Sequence, residues 1–156
     1  MIIEHITYDK LTAVYGSDIF TEPELKKATL GVNAMEAKRH LYDYVLYDSQ
    51  NEQKFASALE AHAHEVAVYV KLPKSFYIAT PVGKYSPDWA IAFYEGTVKH
   101  IYFVAETKGD MATLELREIE KTKAHCAREH FRAISGENVK YEVVDSYDKL
   151  WEIVSK

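Results

Sequence analysis

The sequence predicts an α/β fold in which helices flank a central mixed β-sheet, and three observations carry that prediction. Two near-continuous apolar runs, DWAIAFYE and VKHIYFVAE, are joined by Glu95-Gly96-Thr97, a short glycine-containing turn. Runs apolar on both faces belong to central strands that are covered on each side. Helical periodicity appears before them at 49–63 and after them at 114–134, and the valine-rich VKYEVVDS follows. The resulting order (helix, strands, helix, strand, helix) suits a sandwich of helices around a sheet.

Taken in chain order, IIEHITY predicts a strand, and EPELKKATL a short helix opened by Pro23. YDYVLYDS reads as a strand running into a turn. SQNEQKFASALEAHA then gives a helix whose apolar stripe is Phe55, Ala58, Leu59 and Ala61 or His62. EVAVYVKL alternates and is rich in valine and tyrosine, as a strand requires, and SFYIAT is a second short strand. PVGKYSP is a turn built on Pro81, Gly83 and Pro87. After the hairpin, Ile119, Cys126, His130 and Ile134 fall near one face of the long helix, which Ser135-Gly136 ends. YDKLWEIVSK closes the chain as a short helix.

The 156 residues fit one domain, 1–156, with residues 1–40 as an N-terminal extension of unassigned role and 41–156 as its core. A composition of 47% hydrophobic and 28% charged residues is that of a soluble globular protein. Cys126 is the single cysteine, which excludes an internal disulfide and suits a reducing compartment. The polar, acidic start MIIEHITYDK is not a secretory signal, and no apolar run approaches the ~18–20 residues of a membrane span. The expectation is a cytoplasmic domain. The net charge of −5 leaves two readings open. Either the chain does not hold nucleic acid, or its grip on nucleic acid lies elsewhere, because charge-driven binding normally shows a basic balance.

The hairpin is where chemistry can sit. With its turn near Gly96, Asp88 falls opposite residues 104–106, within the ~4.5–8 Å reach of cross-strand neighbours. Glu106 and Lys108, two residues apart, share one face of a strand. Two carboxylates and a lysine then meet at the end of a sheet. Such a group can hold Mg²⁺, which uses one or two carboxylates plus water and phosphate, and can stabilise charge on a phosphate. The plain alternative is a surface hairpin end whose acid and lysine form a weak ion pair.

Pro87-Asp88 followed by Glu106-Thr107-Lys108 resembles the signature of the PD-(D/E)XK nucleases. The surrounding text is more specific: KLPKSFYIATPVGKYSPDWAIAFYE, YFVAETKGD and LREIEKTKAHCAREHFRAI resemble the C-terminal endonuclease domain of type III restriction enzyme Res subunits. The similarity covers roughly residues 48–145 and implies a restriction-endonuclease-like fold and Mg²⁺-dependent hydrolysis of double-stranded DNA. By position it implies Asp88, Glu106 and the Thr107 carbonyl as metal ligands and Lys108 as the catalytic lysine. It adds Glu52, in Glu52-Gln53-Lys54-Phe55-Ala56, as a third acid facing the site. Ser49-Gln50-Asn51-Glu52 is equally a capping box, in which Glu52 folds back onto the backbone of Ser49.

Res subunits carry a helicase-type ATPase ahead of the nuclease, and no phosphate-binding loop occurs in this chain. The resemblance therefore assigns ATP and the methyltransferase (Mod) subunit to parts of a larger system. Arg117, Lys121, Lys123, Arg128 and Arg132 give the long helix basic character, but interleaved glutamates make an ion-paired solvated face the plainer account of most. Lys121 and Lys123, with Lys84 before Asp88, remain candidate phosphate contacts. His62 and His64 fall on different helical faces, Cys126 and His130 pack, and Trp89 alternates away from Asp88 to pack. Two other classes stay open: a docking module of the same fold without catalysis, and a repair-type nuclease of the same superfamily.

Overall fold

The computed structural model describes residues 30–31, 34–42, 44–96, 98, 102–107, 114–135 and 139–156, without the side chains of 114–117 and 135. The strand and helix expected from IIEHITY and EPELKKATL lie outside the described residues, as does Lys108. The elements are β1 (Ala34–Glu36), β2 (Tyr44–Leu46), α1 (Gln50–Ala61), β3 (Val66–Lys71), β4 (Ile78–Thr80), β5 (Gly83–Tyr85), β6 (Trp89–Phe93), β7 (Tyr102–Thr107), α2 (Leu114–Ser135), β8 (Val139–Val144) and α3 (Tyr147–Val154).

Four strands form the central sheet in the order β3-β6-β7-β8. The first two pairings are antiparallel and β7 with β8 is parallel, so the sheet is mixed. A parallel pair needs a long crossover, and α2 provides it. The α/β fold read from the sequence, with its helix-flanked mixed sheet, is the fold observed, and it is restriction-endonuclease-like.

The strict alternation of the strands divides the core in two. Trp89, Ile91 and Phe93 of β6 join Phe103 and Ala105 of β7 against Phe55, Ala56 and Leu59 of α1 and Leu150 of α3. Ala90 and Val104, one residue out of step, face Ala124, Ala127 and Phe131 of α2 with Tyr85 and Tyr141. Burying both faces of the strands explains why they read as continuous apolar runs. Each large side chain fully buried this way contributes about 1.5–3 kcal/mol.

Several local expectations change. PVGKYSP is not turn throughout, because Gly83–Tyr85 is β5 and pairs with β4. Gly83, at φ +117°, supplies a backbone conformation that side-chain-bearing residues avoid, and the chain reverses there. On α1 the buried residues are Phe55, Ala56 and Leu59, while Ala61 is exposed. On α2 the packed stripe is Ala124, Ala127 and Phe131, beside a fully buried Cys126; Ile119 and His130 are only partly covered. Trp89 packs as expected, at 0% exposure.

The stretch before α1 is knitted into this body. β1 pairs with β2, and residues 39–41 extend the sheet beyond β3 through Tyr69 N–H to Arg39 O (3.0 Å) and Leu41 N–H to Tyr69 O (2.9 Å). The Glu60 carboxylate accepts from the backbone N–H groups of Lys38 and Arg39 and from the Tyr69 hydroxyl (2.8 Å), tying that segment to α1 and the sheet. No helix among the described residues is long and apolar enough to cross a membrane.

Candidate active site

β6 and β7 pair with Trp89 opposite Ala105 and Ala90 opposite Val104. Extended by one rung, that register sets Asp88 across from Glu106, as the hairpin spacing required. Asp88 is partly buried, and its Oδ2 accepts two hydrogen bonds from one residue, the Thr107 N–H (2.9 Å) and the Thr107 hydroxyl (2.8 Å). Trp89 Nε1–H donates to that same hydroxyl (3.4 Å). Burial pushes the Asp88 carboxyl above the ordinary range and the nearby Glu52 charge adds to this, while the Thr107 bonds and the Lys71 charge act against it. The Asp88 carbonyl accepts from Leu72 N–H (2.7 Å), fixing the strand at the point where the side chain leaves it.

Glu106 shares the parity of Val104 and so belongs to the α2 side of the sheet. The Tyr85 hydroxyl donates to its Oε2 at 3.0 Å, and Tyr85 in turn is hydrogen bonded to the Tyr141 hydroxyl. With Tyr85 donating to Glu106, Tyr141 must donate to Tyr85, which gives a one-way chain of two buried phenols ending on a carboxylate. Burial first, then the neighbouring Tyr141 and Glu106, hold Tyr85 firmly protonated. Beside this chain Arg128 grips Glu142 through two 2.7 Å bonds, a fork that joins α2 to β8.

The α1 side carries a different arrangement. Ser49 caps α1 by accepting from Glu52 N–H (3.2 Å). The reciprocal bond is not the one expected: Glu52 Oε2 accepts from Asp48 N–H (2.7 Å), one residue earlier than Ser49. The same oxygen takes the Lys71 ammonium at 2.7 Å, and Lys71 also reaches Asp48 Oδ2 at 3.1 Å. Capping and site-facing roles for Glu52 are therefore compatible in one rotamer. Lys71 escaped the sequence reading. It ends β3 with the parity of Tyr69, but its neighbours become visible only once Lys71 is paired with Trp89. Tyr85 escaped because it sits inside what reads as a turn.

Asp88, Glu106, Thr107 and Glu52 thus gather at one end of the sheet, while Lys108 lies outside the described residues. The phosphate-contact candidates are less concentrated. Lys121 pairs with Glu118 (3.3 Å) and Lys123 with Glu120 (3.8 Å), both within one helical turn. The exposed Lys121–Glu118 pair contributes little and exchanges readily. Lys84, on β5, lies over the Tyr77 ring at 4.4 Å. His62, at the end of α1, stacks on Tyr147 with ring centres 3.7 Å apart, a packing role.

Oxygen donors on neighbouring strands suit Mg²⁺ or Mn²⁺. Among the described residues no three His, Cys, Asp or Glu side chains make a cage by themselves.

The helix-flanked mixed sheet sets the chain in the restriction-endonuclease-like class, and the sequence comparison is more specific: the chain belongs to the endonuclease-domain family, whose match spans residues 38–147. It is 30% identical over 140 residues, 84% of this chain, to the type III restriction-modification enzyme EcoP15I Res subunit of Escherichia coli. It is 29% identical over 149 residues, 92% of this chain, to the EcoPI Res subunit of Escherichia phage P1. In each case the match spans 14% of the relative's length. No solved structure matches the chain.

Proposed function

We propose that this chain is the DNA-cutting domain of a type III restriction system, hydrolysing the phosphodiester backbone of double-stranded DNA with Mg²⁺. The observation that supports the proposal is the β6–β7 register, Trp89 opposite Ala105, which carried one rung further sets Asp88 opposite Glu106 in a member of the endonuclease-domain family. Asp88 and Glu106, with the Thr107 carbonyl, would hold the cation, which supplies neutralising charge and a more acidic bound water. Thr107 also has a second duty, since its N–H and hydroxyl fix the rotamer of Asp88. Lys108 follows Glu106 by two residues and would orient the attacking water and stabilise charge on the phosphate. Water attacks phosphorus in line, the 3′-oxygen leaves with a proton, and the products are a 5′-phosphate and a 3′-hydroxyl.

Sequence reading, ATP hydrolysis and contact with a Mod subunit belong to the rest of such a system. Lys84, Lys121 and Lys123 are its modest phosphate contacts here, and the acidic net charge fits a domain to which DNA is delivered. Mg²⁺-dependent nicking of supercoiled plasmid, abolished by Lys108→Ala, is the expected result. A docking module would leave plasmid intact with or without Lys108. A repair-type nuclease would cut single-stranded or branched DNA in preference to duplex.

A further inference from the structure

Among the described residues, Lys71 brings an ammonium to this end of the sheet. Its ammonium sits 2.7 Å from Glu52 Oε2 and 3.1 Å from Asp48 Oδ2. Its charge also acts on Asp88, alongside that of Glu52. The position is rigidly specified: Lys71 is paired with Trp89, the residue after Asp88, and its own N–H donates to His40 Nε2 at 3.1 Å. Its side chain is only 17% exposed. Glu52 is held from a second direction by Asp48 N–H.

Two-metal phosphodiesterases place their ions ~3.5–4 Å apart and need carboxylates enough to share between them. Here the acids divide into two sets. Asp88 falls opposite Glu106 when the β6–β7 register is carried one rung past Trp89–Ala105, whereas Glu52 and Asp48 converge on a fixed ammonium. A divalent ion bound to Glu52 Oε2 would stand against a positive charge 2.7 Å from the same oxygen, in a partly dehydrated setting where like charges repel strongly.

We infer that Lys71 takes the place of a second metal ion, so that the site accepts one divalent cation, held by Asp88 and Glu106, and Lys71 positions Glu52 beside it. This rests on the metal-dependent reading above and specifies its stoichiometry.

The test is equilibrium binding of Mn²⁺ to the 156-residue chain, with free Mn²⁺ read by its electron paramagnetic resonance signal. The expected result is one Mn²⁺ per chain for the wild type, two for Lys71→Met, and one for Lys71→Arg, which keeps the charge. Lys71→Met combined with Glu52→Gln should return to one, because the ligand of the added ion is gone. Two ions in the wild type overturn the inference while leaving the metal-dependent reading intact, as does a single ion in a folded Lys71→Met. No Mn²⁺ bound to the wild type sinks the metal-dependent reading itself and this inference with it. Circular dichroism establishes that each variant is folded, and Lys71→Gln, also expected to bind two, replaces Lys71→Met if that variant does not fold.

Discussion

The two faces of the sheet deliver their carboxylates to the same end by opposite means. On the α1 face Glu52 is held by charge, through the Lys71 ammonium and a backbone N–H. On the α2 face the Tyr85 hydroxyl, backed by Tyr141, donates to Glu106. Asp88 lies between them and is fixed by Thr107 alone among these neighbours. A charged partner lowers the local negative charge and competes with other cations. A phenol orients a carboxylate without bringing a charge of its own. The contrast separates a carboxylate matched with an ammonium, Glu52, from one that receives a phenol, Glu106.

The largest effect should come from the acids themselves. Asp88→Asn and Glu106→Gln should each lower plasmid nicking by about 10²–10³-fold or more, the scale of losing one preorganised charge-stabilising group. An unchanged circular dichroism spectrum would assign that loss to chemistry. Near-normal nicking by either variant breaks the contrast at its root.

The cores beneath the two faces come next. Trp89→Ala on the α1 face and Phe131→Ala on the α2 face should each cost about 3–5 kcal/mol in chemical denaturation. Trp89 is fully enclosed and also supports the Thr107 hydroxyl, so it should be the more damaging of the two. The reverse order would show that the α2 face carries the fold.

Tyr85→Phe sharpens the comparison with less disturbance. It removes the neutral support of Glu106 and leaves ring packing in place. Mn²⁺ affinity should weaken by about 10–100-fold, as for other groups that orient metal ligands. An unchanged affinity would reduce Tyr85 and Tyr141 to a packing role.

The smallest effect concerns the edge of the α1 face. His40 is kept neutral first by burial, which holds its pKa below the ordinary value. Its Nε2 accepts from Lys71 N–H, a bond that protonation would forfeit. Because the folded-state pKa is depressed, this contribution is present above the ordinary pKa of about 6.5 and is lost as pH falls below it. Melting temperature should therefore decline between pH 7.5 and 5.5, and His40→Gln should shallow that decline. His130, also depressed by burial, keeps part of it in place. An identical slope in the variant would remove His40 from the account.

Much of this was legible in the sequence because it is written in local periods. The apolar alternation of β6 and β7 and the helical stripe of α1 depend on neighbours close in the chain. The spacing from Asp88 to Glu106 worked because one hairpin joins them. Lys71 and Tyr85 were hidden for the opposite reason. Lys71 gains its meaning from a pairing with β6, and Tyr85 from a hairpin only three residues wide on each side, which Pro81 and Gly83 disguise as a turn. On α2 the expected Cys126 and Ile134 do pack, but Ala124 and Ala127, not Ile119, let that helix approach the sheet. Small residues at close contacts carry little signal in a hydrophobic pattern.

The most direct measurement is a crystal of the protein soaked in Mn²⁺ and measured at a wavelength where manganese scatters anomalously. A single peak within coordination distance of both Asp88 and Glu106 is the predicted result. A map with no ion at that end of the sheet would contradict the assignment of these two carboxylates to a metal-dependent cutting site.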